Sequence, residues 1–261
     1  MASGRLPAPP TVGEAAEHYF GDRIRLAERY AWHLSTSAVQ RGLIGPREVD
    51  RIWERHLLNC AAVAPLIPAD ADVVDVGSGA GLPGIVLAVA RPDLRMTLVE
   101  PMLRRVTWLQ EILIDIDIPC KVVRARAGEA GTPGGVDVVC ARAVAALPTL
   151  AGWCLPVLRP GGVLVALKGE SARRELVESG EALTGLGAVS WDVVECGEGL
   201  LPAPTTVVRV VAGDAVPRGS AASGDLQGRA ARPGREPART SVRKTPARAR
   251  TRGTRRSRRR S

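Results

Sequence analysis

The sequence predicts an α/β protein with a doubly wound, mostly parallel sheet and an N-terminal helical segment. From Asp72 onward, short runs rich in Val and Leu alternate with longer amphipathic runs, which is the pattern of strands separated by helices. Most of the short runs are continuous stretches of Val and Leu and do not alternate regularly with polar residues. Such strands are buried on both faces, as in a parallel sheet that helices cover on each side.

The elements follow one another in a simple order. Residues 12–41 are polar and amphipathic, and residues 46–66 place apolar side chains near helical spacing, with Pro46 suited to a first turn. We therefore predict a helical segment over residues 1–70 and a main domain over residues 71–212. The predicted strands of that domain are ADVVDVG, LRMTLVE, KVVRA, VDVVCARA, GVLVALKG, SWDVVECG and TTVVRVVAG, and the predicted helices are LPGIVLAVA, PMLRRVTWLQEILIDI, LPTLAGWCLPVL and SARRELVESGEAL.

The formal net charge of +9 belongs to one end of the chain. Residues 228–261 hold 14 Lys and Arg residues against a single acid, and the rest of the chain holds 22 basic and 26 acidic residues. Beyond about Gly213 the chain has scarcely any large apolar side chain, so burial cannot offset the entropy lost on ordering. We predict a disordered basic tail over residues 213–261 that can attract RNA phosphates.

Composition also argues against several classes of protein. The five cysteines are scattered and form no C-x-x-C pair, which argues against a zinc or redox site and indicates reduced thiols. The first twenty residues lack the apolar core of a signal peptide, and no run approaches the roughly 18 apolar residues that span a bilayer. We expect a cytoplasmic monomer with no metal.

The stretch DVGSGAGLPG, Asp75 to Gly84, follows the first strand, where a doubly wound sheet binds its ligand. From Gly79 it matches the dinucleotide pattern G-x-G-x-x-G, and from Asp75 it is an acid followed by alternating glycines. In the first register Asp75 would repel a pyrophosphate, and Pro83 interrupts the helix start that should donate free N–H groups. The same acid would attract the α-ammonium of S-adenosylmethionine, which we therefore favour as cofactor. A nucleotide-dependent oxidoreductase is the alternative.

Glu100 ends the second predicted strand, 23 residues after Gly77. An acid at this point accepts hydrogen bonds from ribose hydroxyls in either class of cofactor. Glu100 therefore supports a nucleoside ligand without choosing between the two registers.

The run from Asp75 to Glu100 resembles the small-subunit ribosomal RNA methyltransferase G family, in which GSGAGLPG precedes ARPD and LVEP. The resemblance covers about residues 30–212, and its further matches are RHLLNC at 55–60, Arg104, Arg105, Trp108 and Leu109, RAGE at 126–129, ARA at 141–143 and LKG at 167–169. It implies a class I methyltransferase fold, S-adenosylmethionine as cofactor, and methylation of N7 of guanine 527 in the 16S rRNA of the small ribosomal subunit.

The resemblance also assigns site residues. It places cofactor contacts at Gly77, Gly79, Leu82, Ala127, Gly128 and Arg142, with Glu100 at the ribose, beside the Asp75 that the residues themselves suggest. The family pattern commonly has an acid where this chain has Gly128, so that contact is either missing or supplied by the backbone or Glu129. Asn59 and Cys60 stand where many members have Asp and Ser, which leaves a substrate role for that pair open.

The chemistry needs little from the protein beyond orientation. Guanine N7 already presents a lone pair, so no general base is required, and none of the three histidines adjoins a Ser or Cys nucleophile motif. Arg142 and Lys168 end strands at the ligand edge and are candidate contacts to the substrate. The resemblance places His56 near the mouth of the site and makes it a third candidate substrate contact. A solvated lysine at Lys168 and a partly buried structural histidine at His56 are the alternatives for these two residues. A non-catalytic RNA-binding protein with a vestigial pocket is a second alternative.

Overall fold

Seven strands form one sheet in the computed structural model, which describes residues 4–129, 131–214 and 216. They are β1 (Asp72–Val76), β2 (Arg95–Val99), β3 (Lys121–Val123), β4 (Val136–Arg142), β5 (Leu158–Leu167), β6 (Ala188–Cys196) and β7 (Thr205–Ala212), in the order β3-β2-β1-β4-β5-β7-β6. Strands β1 to β5 pair in parallel, and β7 is antiparallel to both of its neighbours. The predicted class I methyltransferase fold is confirmed.

Helices cover both faces of this sheet. They are α1 (Gly13–Phe20), α2 (Ile24–His33), α3 (Asn59–Ala61), α4 (Gly84–Ala90), α5 (Leu103–Ile116), α6 (Leu147–Cys154) and α7 (Ala172–Gly185). Adjacent strand residues point to opposite faces, so Val73 joins a core built with the N-terminal segment, α4 and α5, and Val74 joins one built with α6 and α7. This double burial is the reason that the central strands are rich in Val and Leu.

The N-terminal segment is helical but irregularly wound. Pro46 opens a 3-10 turn (Pro46–Arg51), which leads into a π-helical stretch (Ile52–Leu58) and then α3. A second π-helical stretch, Leu34–Ala38, follows α2, where the Thr36 hydroxyl donates to the Trp32 carbonyl at 2.7 Å. Hydroxyls that bond to the preceding turn compete with the regular ladder. We therefore attribute the wider winding after α2 to the Ser-Thr-Ser sequence.

The basic tail predicted over residues 213–261 lies almost wholly outside the described residues. All five cysteines lie inside them and are free thiols, and burial raises the pKa of each, so they are protonated at neutral pH. Among the described residues, no helix combines the length and apolar character needed to cross a bilayer.

The parallel strands bring the predicted site residues to one edge of the sheet. Val76 at the end of β1 pairs with Val99 at the end of β2, and Val99 pairs with Val123 at the end of β3. On the other side Arg142 at the end of β4 pairs with Leu167 at the end of β5. The loops that leave these ends are therefore neighbours, which is where doubly wound sheets bind ligands.

Candidate functional site

The turn between β1 and α4 is the centre of this edge. Gly77 and Gly81 have φ of +69° and +87°, a left-handed conformation that glycine adopts without strain. A Cβ on Gly81 would lie 2.5 Å from Ile85 Cδ1, so a larger residue there would clash. Of residues 75–84, only Gly77, Gly79 and Leu82 are partly exposed. These are the three residues of the turn that the resemblance assigns to the cofactor.

Asp75 lies beneath this turn and is completely buried. Its Oδ2 accepts a hydrogen bond from the N–H of Gly84, the first residue of α4, at 3.0 Å. Its Oδ1 has no hydrogen-bond partner among the described residues. Burial raises the pKa of Asp75 to about 7. An unpaired buried carboxylate oxygen is suited to a cationic group, so the site fits the α-ammonium of S-adenosylmethionine.

The hydrogen bond between Gly84 and Asp75 argues against the dinucleotide register. A dinucleotide pyrophosphate binds free N–H groups at the start of the helix after the first strand. Here the N–H of Gly84 is already bonded to Asp75. A pyrophosphate would therefore lose a donor and meet a buried acid.

Glu100 is 1% exposed, and its carboxylate accepts hydrogen bonds from two backbone N–H groups. Its Oε2 accepts the N–H of Gly79 at 2.9 Å, and its Oε1 accepts the N–H of Met102 at 3.0 Å. Glu100 thus ties the glycine turn to the end of β2. Each carboxylate oxygen can accept more than one hydrogen bond, so these two contacts leave Glu100 able to accept from a ribose hydroxyl.

The loop after β3 carries Ala127 and Gly128. Gly128 is exposed with φ of +79°, and the nearest atom to a Cβ there would be the Trp153 carbonyl oxygen at 3.8 Å. Ala127 is partly exposed. The Glu129 carboxylate accepts the backbone N–H of Arg126 at 3.1 Å, so in this structure it braces its own loop.

Arg142 at the end of β4 is held by the N-terminal segment. Its Nη2 donates to the Arg55 carbonyl at 2.9 Å and lies 3.0 Å from His56 Nδ1. Its Nη1 donates to Cys60 Sγ at 3.3 Å. His56 is 7% exposed, so the residue that we considered as a substrate contact is packed against Arg142.

Lys168 has two acceptors within the protein. Its ammonium lies 3.0 Å from Glu175 Oε1 and donates to the Ala145 carbonyl at 3.0 Å, and the side chain is largely buried. The loop that it braces includes Val144, whose Cγ2 would be 3.0 Å from a Cβ on Gly77. Lys168 thus supports the wall of the glycine turn.

Two contacts at the site had no signal in the sequence. The Tyr30 hydroxyl, on α2, donates to the Ala80 carbonyl in the glycine turn at 2.5 Å, and Tyr30 is fully buried. Asn59 donates to Thr205 Oγ1 at 2.8 Å and so ties α3 to the start of β7. Both pairs join distant parts of the chain, and spacing along the sequence cannot reveal them.

The family model described as rRNA small subunit methyltransferase G matches residues 23–202. A ribosomal RNA small subunit methyltransferase G from Rhodococcus jostii is 55% identical over 210 residues, which cover 79% of this chain and 92% of that protein. One from Renibacterium salmoninarum is 52% identical over 212 residues, covering 80% of this chain and 99% of that protein.

A solved structure is similar at the level of the fold. A methyltransferase from Pyrococcus furiosus has a TM-score of 0.50 at 12% identity, over 67% of this chain and 99% of that one. Similarity this remote supports the fold alone. The family match and the close relatives go further, and they show that this chain belongs to the rRNA small subunit methyltransferase G family.

Proposed function

We propose that this chain methylates N7 of guanine 527, in conventional numbering, in the 16S rRNA of the small ribosomal subunit, with S-adenosylmethionine as the methyl donor. Family membership carries the proposal, and the unpaired buried oxygen of Asp75 beneath a glycine turn supports the cofactor. An enzyme with this substrate would act in the cytoplasm. The two alternatives, an oxidoreductase and a non-catalytic RNA-binding protein, lack comparable support.

The residues at this edge are suited to binding and orientation. Asp75 offers a negative charge to an ammonium group, and the partly exposed backbone of Gly77, Gly79 and Leu82 offers close approach. S-adenosylmethionine supplies a methyl group that is activated by the positive sulfonium to which it is bonded. Orientation of two reactants within one site can contribute about 7 to 11 kcal/mol to lowering a barrier. The protein therefore needs to hold the guanine in line.

Charge at the site is also favourable for this reaction. A guanidinium has five N–H donors, and contacts within the protein use three of those on Arg142. The other two would be available to a cofactor carboxylate or to the O6 edge of a guanine. Because N7 is methylated as a neutral acceptor, no residue has to remove a proton first.

The direct test is to supply labelled S-adenosylmethionine and small ribosomal subunits that lack the modification, and to map the methylated nucleotide. We expect one methyl group on N7 of the target guanine. The Asp75→Asn variant is the matched control and should transfer methyl groups far more slowly. A label on another base or on protein would refute the proposed substrate, and failure to bind the cofactor would favour a vestigial pocket.

We also propose that the basic tail strengthens binding to RNA. Its 14 Lys and Arg residues over 228–261 can neutralise phosphates, and each neutralised phosphate contributes about −0.7 to the slope of log affinity against log salt on single strands. Deletion after Gly213 should weaken binding to RNA or to the small subunit at low salt and leave cofactor affinity unchanged. Equal RNA binding with and without the tail would exclude this role.

A further inference from the structure

The guanidinium of Arg142 is oriented by uncharged acceptors. The Arg55 carbonyl, His56 Nδ1 and Cys60 Sγ lie within 2.9 to 3.3 Å of its terminal nitrogens. Among the described residues, no carboxylate lies within ion-pair distance of Arg142. The protein therefore fixes the direction of this cation without neutralising its charge.

The contact with Arg142 also fixes the protonation of His56. A guanidinium can only donate, so His56 Nδ1 must accept, and the proton of the neutral ring lies on Nε2. Nε2 lies 3.2 Å from Glu48 Oε2, but the two are not aligned as a hydrogen bond. Burial, with Arg142 beside the ring, lowers the pKa of His56 to about 4. The ring is therefore a neutral acceptor near neutral pH.

His56 has little surface with which to contact a substrate directly. It is 7% exposed, and its two ring nitrogens face Arg142 and Glu48. Any influence of His56 on the reaction must therefore pass through Arg142. An acid in its place would neutralise the guanidinium, and an apolar residue would leave it without one of its three acceptors.

We propose that His56 is a positioning residue, which holds the Arg142 guanidinium uncompensated at the end of β4 so that it can bind an anionic group of the cofactor. The proposal rests on the proposed function, because it assumes that Arg142 meets a ligand there. It assigns the N-terminal helical segment a part in the site, beyond its packing against the sheet.

Three variants of His56 separate positioning from packing. In His56→Asn the amide oxygen can replace Nδ1 as acceptor, in His56→Leu the volume is retained without an acceptor, and in His56→Asp the acceptor carries a charge. His18 is an exposed histidine on α1, so His18→Leu is the matched control. The dissociation constant for S-adenosylmethionine is measured by calorimetry on the full chain, with the urea midpoint as a check of folding.

We expect His56→Leu to weaken cofactor binding roughly tenfold, as loss of one hydrogen bond to a charged group implies, and His56→Asn to stay within about threefold of the parent. His56→Asp should weaken binding although it can accept. Equal affinities for the Leu and Asn variants would overturn the proposal. If His56→Leu does not fold, the Asn and Asp variants are compared instead. His56→Asn should keep the affinity of the parent and His56→Asp should bind more weakly, and equal affinities for these two variants would overturn the proposal.

A spectroscopic measurement tests the arrangement without a ligand. The ¹⁵N chemical shifts of His56 should report a neutral ring protonated at Nε2 from pH 5 to pH 8, and Arg142→Ala should perturb them. A ring protonated at Nδ1 would overturn the proposal. If the parent binds the cofactor but methylates no rRNA, the proposed function fails, whereas the affinity comparison still decides the role of His56.

Discussion

Asp75→Asn should change how the stability of the protein depends on pH. Burial raises the pKa of Asp75 from 3.8 to about 7. Between these values the folded protein keeps a proton that the unfolded chain has lost, so stability falls as pH rises through this window and is level above it. One pKa unit corresponds to about 1.4 kcal/mol, so the ionised carboxylate costs about 4 kcal/mol of stability by pH 8.

The asparagine removes this cost while its amide oxygen can still accept the N–H of Gly84. The free energy of unfolding of the variant relative to the parent should therefore rise by about 4 kcal/mol between pH 4 and pH 8. The amide group of the asparagine leaves an N–H unpaired at the position of Oδ1. This lowers the free energy of unfolding of the variant by the same amount at every pH and does not change how that free energy varies with pH. Because the lowered pKa of His56 gives a slope of opposite sign between about 4 and 6.5, the comparison uses differences between the two proteins.

The assay is urea denaturation of both proteins at half-unit steps of pH. Asp72→Asn is the matched control, since Asp72 begins the same strand but is exposed and paired with Arg95. That variant should show no comparable change with pH. If the Asp75 variant and the parent keep a constant difference in stability from pH 4 to pH 8, then Asp75 is not a desolvated acid and the reasoning is wrong.

Three more predictions follow from contacts at the glycine turn. Affinity for S-adenosylmethionine should rise several-fold between pH 6 and pH 7.5, because the ammonium binds the ionised form of Asp75, and calorimetry on Asp75→Asn should show weak binding without this rise. Tyr30→Phe should destabilise the protein by about 1–3 kcal/mol in urea denaturation, because the Ala80 carbonyl loses its donor, whereas Tyr19→Phe should cost less than about 0.5 kcal/mol. Gly84→Ala should destabilise the protein by about 1–3 kcal/mol and lower its melting temperature, because the new Cβ would lie 2.4 Å from Leu98 Cδ2. Gly13→Ala is the control: this glycine lies in open space on α1, so the change should be neutral or stabilising.

Much of the site could be placed from the sequence because parallel strands impose a simple geometry. Once β1, β2, β4 and β5 were recognised as buried strands, Asp75, Glu100, Arg142 and Lys168 had to lie near one edge. The spacing of residues within the turn also indicated its class of cofactor, since an acid two residues before the first glycine is a local feature. Neither inference needed a contact between distant residues.

The partners of these side chains could not be predicted in the same way. Lys168 pairs with Glu175 and the Ala145 carbonyl, and Glu100 binds the turn itself, because the folded chain brings these groups together before any ligand arrives. Hydrogen bonds of this kind depend on positions to within a few tenths of an ångström. The pattern of residue types along a sequence holds no such information.

The sequence by itself determined the fold class, the register of the glycine turn and the family, because each depends on local periodicity or on residue types at fixed spacing. Only the tertiary structure decided that Asp75 has an unpaired oxygen and that the N-terminal segment holds Arg142. These features arise from burial and from contacts across more than eighty residues of chain, as between His56 and Arg142. Desolvation and long-range hydrogen bonding exist only once the chain has folded.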